Sequence, residues 1–174
     1  MALNRVVKLI AVIALCCLAI FTGYQLAENR SVTGRHQNSI STLALPDVEG
    51  RIHQISEWQD QIVLINFWAT WCAPCREEIP LFMDAQARYH GKGLQVVGVA
   101  LDDPEAVRAF ADDMGMQYPV LVGNEDTMAL MYALGNEAGG LPYSVLTNRR
   151  HAVKYRKLGP FTSEELMMVL HKLL

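Results

Sequence analysis

Cys72 and Cys75 are the residues of this chain whose type and spacing could do chemistry. A C-x-x-C pair is either a redox couple or part of a metal site. A structural zinc site normally needs four protein ligands. Here the other cysteines, Cys16 and Cys17, lie in an apolar N-terminal stretch, and the five histidines (His36, His53, His90, His151, His171) are scattered without ligand spacing. The pattern therefore favours a dithiol that cycles to a disulfide, with no metal and no cofactor.

The flanking residues predict how the pair is held. Ile62 to Trp68 is a run of apolar, β-branched and aromatic residues and reads as a buried central strand that stops abruptly before Cys72. Pro74 suits the first turn of a helix, where its missing N–H is no loss, and Arg76, Glu77 and Glu78 are helix formers. Cys72 is thus placed at a helix N-terminus. Unpaired backbone N–H groups and the positive end of the helix dipole there favour thiolate over thiol, making Cys72 the nucleophile. Cys75 comes round almost one turn, close enough to close a small disulfide ring. Trp68 and Trp71 read as structural, with Trp71 half exposed beside Cys72. Glu78, on the same helix, is either a solvated surface acid or a partly buried carboxylate that raises the thiol pKa values and handles the proton of Cys75.

The rest of the chain alternates strand and helix. Leu43 to Ser56 carries a turn signal at Pro46-Asp47 and Glu49-Gly50 and predicts a β-hairpin, followed by a helical turn at Ser56-Glu57-Trp58. The motif helix should run to about Tyr89 and end at Gly91 and Gly93. Leu94 to Leu101 is a second buried strand, Pro104 to Met114 a helix, and Tyr118 to Val122 a short strand. Asp126 should cap a helix to Leu134 that places Met128, Leu130, Met131 and Leu134 against the core. Leu141 to Leu146 and Ala152 to Leu158 predict an antiparallel pair, and Thr162 or Ser163 with Glu165 should cap a last helix to Leu174. The sum is an α/β fold with a mixed sheet flanked by helices.

With 174 residues, 51% hydrophobic and 19% charged, the chain suffices for one packed domain and an appendage. From Arg35 onward the chain is more acidic than the formal charge of −3 suggests, because Arg5, Lys8 and Arg30 precede that point while Glu28 is the one acid that does. Nucleic-acid binding is not indicated, since no basic stripe appears. Arg5 and Lys8 precede the uncharged run Leu9 to Ala27, which as a helix would be about 28 Å long, near the hydrocarbon thickness of a bilayer. No A-x-A-like cleavage pattern follows it. Residues 1–27 are therefore expected to be an uncleaved inner-membrane anchor, with the domain on the non-cytoplasmic, periplasmic side. Cys16 and Cys17 read as apolar filler, because Leu15 stands where a lipoprotein signal has a small residue. Residues 28–42 are polar and read as a linker, leaving 43–174 as the domain.

The segment F-W-A-T-W-C-A-P-C with Glu78 and Pro80, the lead-in E-G-R-I-H-Q-I-S-E-W, the strand V-V-G-V-A-L and the segment G-G-L-P-Y-S-V-L resemble, in order, the TlpA/ResA-like thiol-disulfide oxidoreductases of the thioredoxin superfamily. The resemblance implies a thioredoxin-like fold with an N-terminal β-hairpin and an inserted strand and helix. It also implies a cis peptide before Pro142, facing the C-x-x-C helix, with Leu141 offering its backbone to a substrate chain. Pro80 should kink the motif helix. Thioredoxin itself has a buried aspartate at the position of Asn66, and an amide cannot take up a proton, so Glu78 is the candidate base. The implied reaction is reduction of disulfides in protein clients, of the cytochrome c maturation or copper-site assembly type, with electrons from a membrane thiol transporter. Ala73-Pro74 between the cysteines, in place of a histidine, favours a reductant over an oxidant or isomerase. A copper-binding assembly chaperone is the alternative of a different class; a peroxide-reducing enzyme would need a lone cysteine after P-x-x-x-T, which is missing.

Overall fold

The computed structural model describes residues 15–18, 40 and 43–174. The chain divides into two units, Met1–Gln37 and Asn38–Leu174. Of the first unit, residues 15–18 form a helical turn; the anchor expected over 1–27 and the linker over 28–42 otherwise lie outside the described residues, apart from Ile40. Among the described residues no helix is long and apolar enough to cross a membrane. Ile40 is buried and its carbonyl accepts from the Leu43 N–H, so packing in the second unit reaches into the stretch read as linker.

Strands β1 (Ala44–Pro46) and β2 (Ile52–Gln54) form an antiparallel hairpin that is a sheet of its own. Its turn is fixed by Asp47, whose Oδ1 accepts from the N–H groups of Glu49 and Arg51 while Oδ2 takes the Arg51 guanidinium at 2.8 Å and His53 at 3.0 Å. Burial opposes ionisation of Asp47, but these hydrogen bonds outweigh it and hold its carboxyl well below the usual carboxylate range. The helical turn Ile55–Trp58 follows, with a reciprocal Gln54 and Glu57 capping box.

Strand β3 (Ile62–Trp68) is buried at every residue and is the centre of the main sheet, whose order is β5-β4-β3-β6-β7. Here β4 is Leu94–Ala100, β5 Val120–Val122, β6 Tyr143–Thr147 and β7 Val153–Leu158. Neighbours β4 and β5 run parallel to β3; β6 is antiparallel to β3 and β7 antiparallel to β6. A strand covered on both faces must be apolar throughout, as this one is except at Asn66.

Four helices cover the sheet: α1 (Ala73–Tyr89), α2 (Pro104–Met114), α3 (Thr127–Ala133) and α4 (Ser163–Leu173). On one face Ile62, Leu64 and Trp68 pack with Ile79 and Phe82 of α1 and Leu166 and Leu170 of α4. On the other, Val63, Ile65 and Phe67 pack with the hairpin, Trp58, Met131 and Leu134. Each fully buried side chain of this size contributes about 1.5–3 kcal/mol. Helix α1 continues through Pro80, which cannot donate to the Arg76 carbonyl, and runs into the tight turn His90–Lys92, closed by Gly93 at φ +94°.

Several local expectations change. The Asp126 side chain makes no capping bond; Asn124 and Thr127 organise the start of α3, the Thr127 hydroxyl accepting from the Asn124 N–H at 2.8 Å. Met128 faces solvent rather than the core, because α3 is short and turns Met131 inward instead. Thr162 caps α4 through the Glu165 N–H, but the Glu165 carboxylate does not close a capping box, being drawn to Lys157. The segment Leu141-Pro142 precedes β6 instead of belonging to it.

Gly98 of β4 pairs with Asn66, and a Cβ there would lie 3.0 Å from Trp68 Nε1 and 3.3 Å from Tyr118 Cε2. Gly98→Val should therefore overpack this layer and destabilise the domain by about 1–3 kcal/mol, read as a lower urea midpoint at unchanged slope.

Candidate active site

The pair of cysteines sits where β3 hands over to α1. Cys72 is the N-cap residue, in extended conformation (φ −83°, ψ 100°), and its carbonyl accepts the first helical bond from Arg76 N–H. Pro74 occupies the first turn, with its fixed φ already helical. Cys72 and Cys75 are joined as a disulfide with Cα atoms 5.3 Å apart. Cys72 keeps a sliver of exposure (6%), while Cys75 has none. An attacking nucleophile must be reachable and a resolving thiol need not be, so the asymmetry matches those roles. Trp71 is exposed, more fully than the half exposure expected of it.

The turn carrying Trp71 is clamped from the neighbouring strand. Asp102, just past β4, accepts from both the N–H and the hydroxyl of Thr70. Burial opposes its ionisation, but the bonds from Thr70 and Asp103 prevail and lower its pKa. Leu141 is half-buried and packs on the cluster that contains Cys72 and Cys75; the Leu141-Pro142 peptide is cis.

Glu78 is buried, at 2% exposure, which removes the solvated-surface alternative. It lies one turn beyond Cys75, about 4.5 Å along the helix axis. Its Oε1 accepts from Asn66 Nδ2 at 2.8 Å and its Oε2 from the Phe161 N–H at 3.0 Å. Asn66 Nδ2 also donates to Ser144 Oγ at 3.0 Å, while Asn66 Oδ1 has no partner. Burial pushes the Glu78 pKa up to about 7, against the pull of the Phe161 and Asn66 hydrogen bonds and of Lys157. Tyr118, buried nearby with no partner for its hydroxyl, is raised by its own burial and further by the Glu78 charge.

Asn66 suits both states of this acid. Its Nδ2 donates to the carboxylate; turned over by half a rotation, its Oδ1 would accept from the protonated acid and from the Ser144 hydroxyl. Among the described residues no group of three His, Cys, Asp or Glu side chains is placed to hold a metal ion.

The AhpC/TSA family profile matches residues 37–156. The chain belongs to the AhpC/TSA family. Within this family it is similar to thiol-disulfide oxidoreductase ResA of Geobacillus thermodenitrificans, 26% identical over 170 residues that cover 97% of this chain and 94% of the relative. ResA of Bacillus anthracis is 25% identical over 172 residues, covering 98% and 95%. Among solved structures, a thioredoxin family thiol:disulfide interchange protein from Chlorobium tepidum superposes with a TM-score of 0.69 at 24% identity, covering 80% of this chain and 97% of that one. StoA from Bacillus subtilis superposes at 0.59 and 23% identity, covering 72% and 93%. These likenesses show the thioredoxin-like fold of this AhpC/TSA member.

Three partners of the site were not singled out from the sequence: Ser144, Phe161 and Lys157. The one signal available was Asn66, a lone amide inside an apolar run that had to find partners in the sheet.

With the disulfide intact the thiols do not titrate. His53, whose burial opposes protonation but whose bonds to Asp47 and Glu57 prevail and raise its pKa, titrates alike in wild type and in a Glu78 variant, so the difference between the two isolates Glu78. Its carboxyl is easier to protonate folded (about 7) than unfolded (4.5). Its stabilising effect is therefore complete below pH 4.5 and lost as pH rises through 7, by about 3 kcal/mol at most. Urea unfolding of the oxidised protein from pH 4.5 to 8 should show this loss in wild type. Glu78→Gln should lack it and should keep close to the low-pH stability of wild type, because its amide oxygen can accept from Phe161 while its NH2 donates to a turned Asn66, as the protonated acid would.

Proposed function

We propose that this protein is a membrane-held, periplasm-facing reductase of disulfides in protein clients. The underlying activity, thiol-disulfide oxidoreduction, is that of the ResA relatives and of the Cys72–Cys75 pair itself. The observation that carries the proposal is the buried Glu78 one helical turn from Cys75, because it supplies a place for the proton that exchange must move.

In the reduced enzyme the Cys72 thiolate attacks one sulfur of a client disulfide. A new S–S bond forms, the client's own S–S bond breaks, and the displaced client sulfur leaves as a thiolate that takes a proton from water. Cys75 then loses its proton to Glu78 and attacks Cys72 Sγ; the enzyme disulfide closes, the Cys72–client S–S bond breaks, and the second client sulfur leaves as a thiolate that takes a proton from water. The client is released as a dithiol and Glu78 gives its proton back to solvent. Two electrons pass from enzyme to client. A membrane dithiol carrier returns them, and the anchor expected over residues 1–27 would hold the enzyme beside it.

Direction follows from charge. An ionised Glu78 repels a thiolate on the same helix and weakens the stabilisation that the helix N-terminus gives Cys72. A dithiol form that is less stabilised is a stronger reductant. Ala73-Pro74 between the cysteines adds no positive charge to offset this. The clients that fit are proteins whose paired cysteines must be reduced before they receive a haem or a copper ion. The exposed Trp71 and the half-buried Leu141 beside the buried Pro142 offer an apolar rim for such a chain.

Cys75→Ser should accumulate a mixed disulfide with its client, visible as a DTT-sensitive adduct, whereas Cys72→Ser should not; equal trapping by both would reverse the assigned roles. The reduction potential of wild type should lie near or below about −270 mV. A value near about −120 mV would make the enzyme an oxidant.

A further inference from the structure

The row of polar side chains beneath α1 does not stop at Glu78. Asn66 on β3 pairs in register with Ser144 on β6, and Ser144 with Lys157 on β7. Side chains at paired positions share a face of the sheet, so all three lie on the α1 side. Along β7 the residues on either side of Lys157, Arg156 and Leu158, are exposed, while Lys157 itself is largely covered, its side chain only 21% exposed. A lysine stem is long enough to reach water from an edge strand. Here the ammonium is instead 2.8 Å from the Glu165 carboxylate of α4 and lies over the Phe161 ring, 5.4 Å from its centre. Phe161 is the residue whose N–H holds Glu78.

We propose that Lys157 is a positioning residue for exchange: through the Phe161 segment its charge governs when Glu78 carries its proton, and Glu165 sets how much of that charge is felt. This rests on the reading of Glu78 as the proton acceptor. The groups facing Glu78 from the packed elements are Tyr118 ahead of β5 and Lys157 on β7, with the cysteine pair one turn back along α1; behind Lys157 stand Glu165 and Tyr155, the latter donating to Glu165 at 3.2 Å. Asn66 and Ser144 are neutral. Lys157 is the one cation in this set. Its charge favours the Glu78 carboxylate, and the neighbouring Glu165 carboxylate offsets part of that charge.

A merely structural Lys157–Glu165 pair and a charge-setting one give different signatures. If the pair only pins α4 to β7, removing either partner breaks the same bond and any shift at Glu78 has the same sign. If charge matters, the two removals oppose each other. Lys157→Met takes away a cation and raises the pH at which Glu78 ionises; Glu165→Gln takes away an anion, leaves the cation less neutralised and lowers it. Lys157→Arg keeps the charge and stays at the wild-type value.

The test is a carbon-13 NMR titration of Glu78 in the full chain, labelled at glutamate carboxyls and kept oxidised, for wild type and these three variants. The expected midpoint is near 7 in wild type, higher by about 0.5–1 pH unit in Lys157→Met and lower by a similar amount in Glu165→Gln. Shifts of one sign, or none in variants whose spectra remain folded, overturn the inference. Should Lys157→Met unfold, Glu165→Gln against Lys157→Arg decides the same point. A wild-type midpoint near 4.5 would instead remove the reading of Glu78 on which the inference rests, and is recognisable before any variant is made.

Discussion

Two hydrogen bonds to one buried carboxylate hold this site together. Asn66 Nδ2 and the Phe161 N–H meet Glu78 from the central strand and from the turn ahead of the last helix, so α1, β3 and the β7–α4 connection converge on one side chain. Breaking either bond would leave a buried polar atom without a partner, at a cost of about 1–3 kcal/mol. The acid one helical turn from Cys75 is therefore also a structural tie. That double duty explains why an otherwise apolar layer tolerates Glu78, Asn66 and Ser144 in its middle.

In the proposed cycle two fields oppose each other at the site. The N-terminus of α1 favours negative charge at Cys72, and Glu78 one turn past Cys75 disfavours it. Because burial lifts Glu78 to about 7, the acid changes charge near neutral pH. Asn66 donates to the carboxylate in this structure, and a turn of its amide would offer Oδ1 to the protonated acid.

The sequence exposed what is local. Cys72, Cys75 and Pro74 lie within four residues of one another, and the strand-to-helix switch around them is written in the run Ile62 to Trp68 and the helix formers after it. The sheet could be read as well, because β3 and β4 are continuous apolar runs. Glu78 could not be placed between surface and interior, since its partners lie 12 and 83 residues away and helical spacing alone does not say which face is covered. Lys157 was invisible for the same reason: its inward orientation depends on the register of β7 against β6. At Asp126 and Met128 local rules gave the wrong answer, as Asn124 and Thr127 satisfied the helix start and a short helix left Met128 outside. The cis peptide at Pro142 came from the family likeness and not from any property of Leu141 or Pro142 by themselves.

The claim that Glu78 controls the thiols is tested most directly by the alkylation rate of Cys72 across pH, in reduced wild type and Glu78→Gln, with folding checked separately. Neutralising the carboxyl removes a like charge, so the variant's profile should move to lower pH. Superimposable profiles would contradict the account and reduce Glu78 to a structural tie beside an independent cysteine pair.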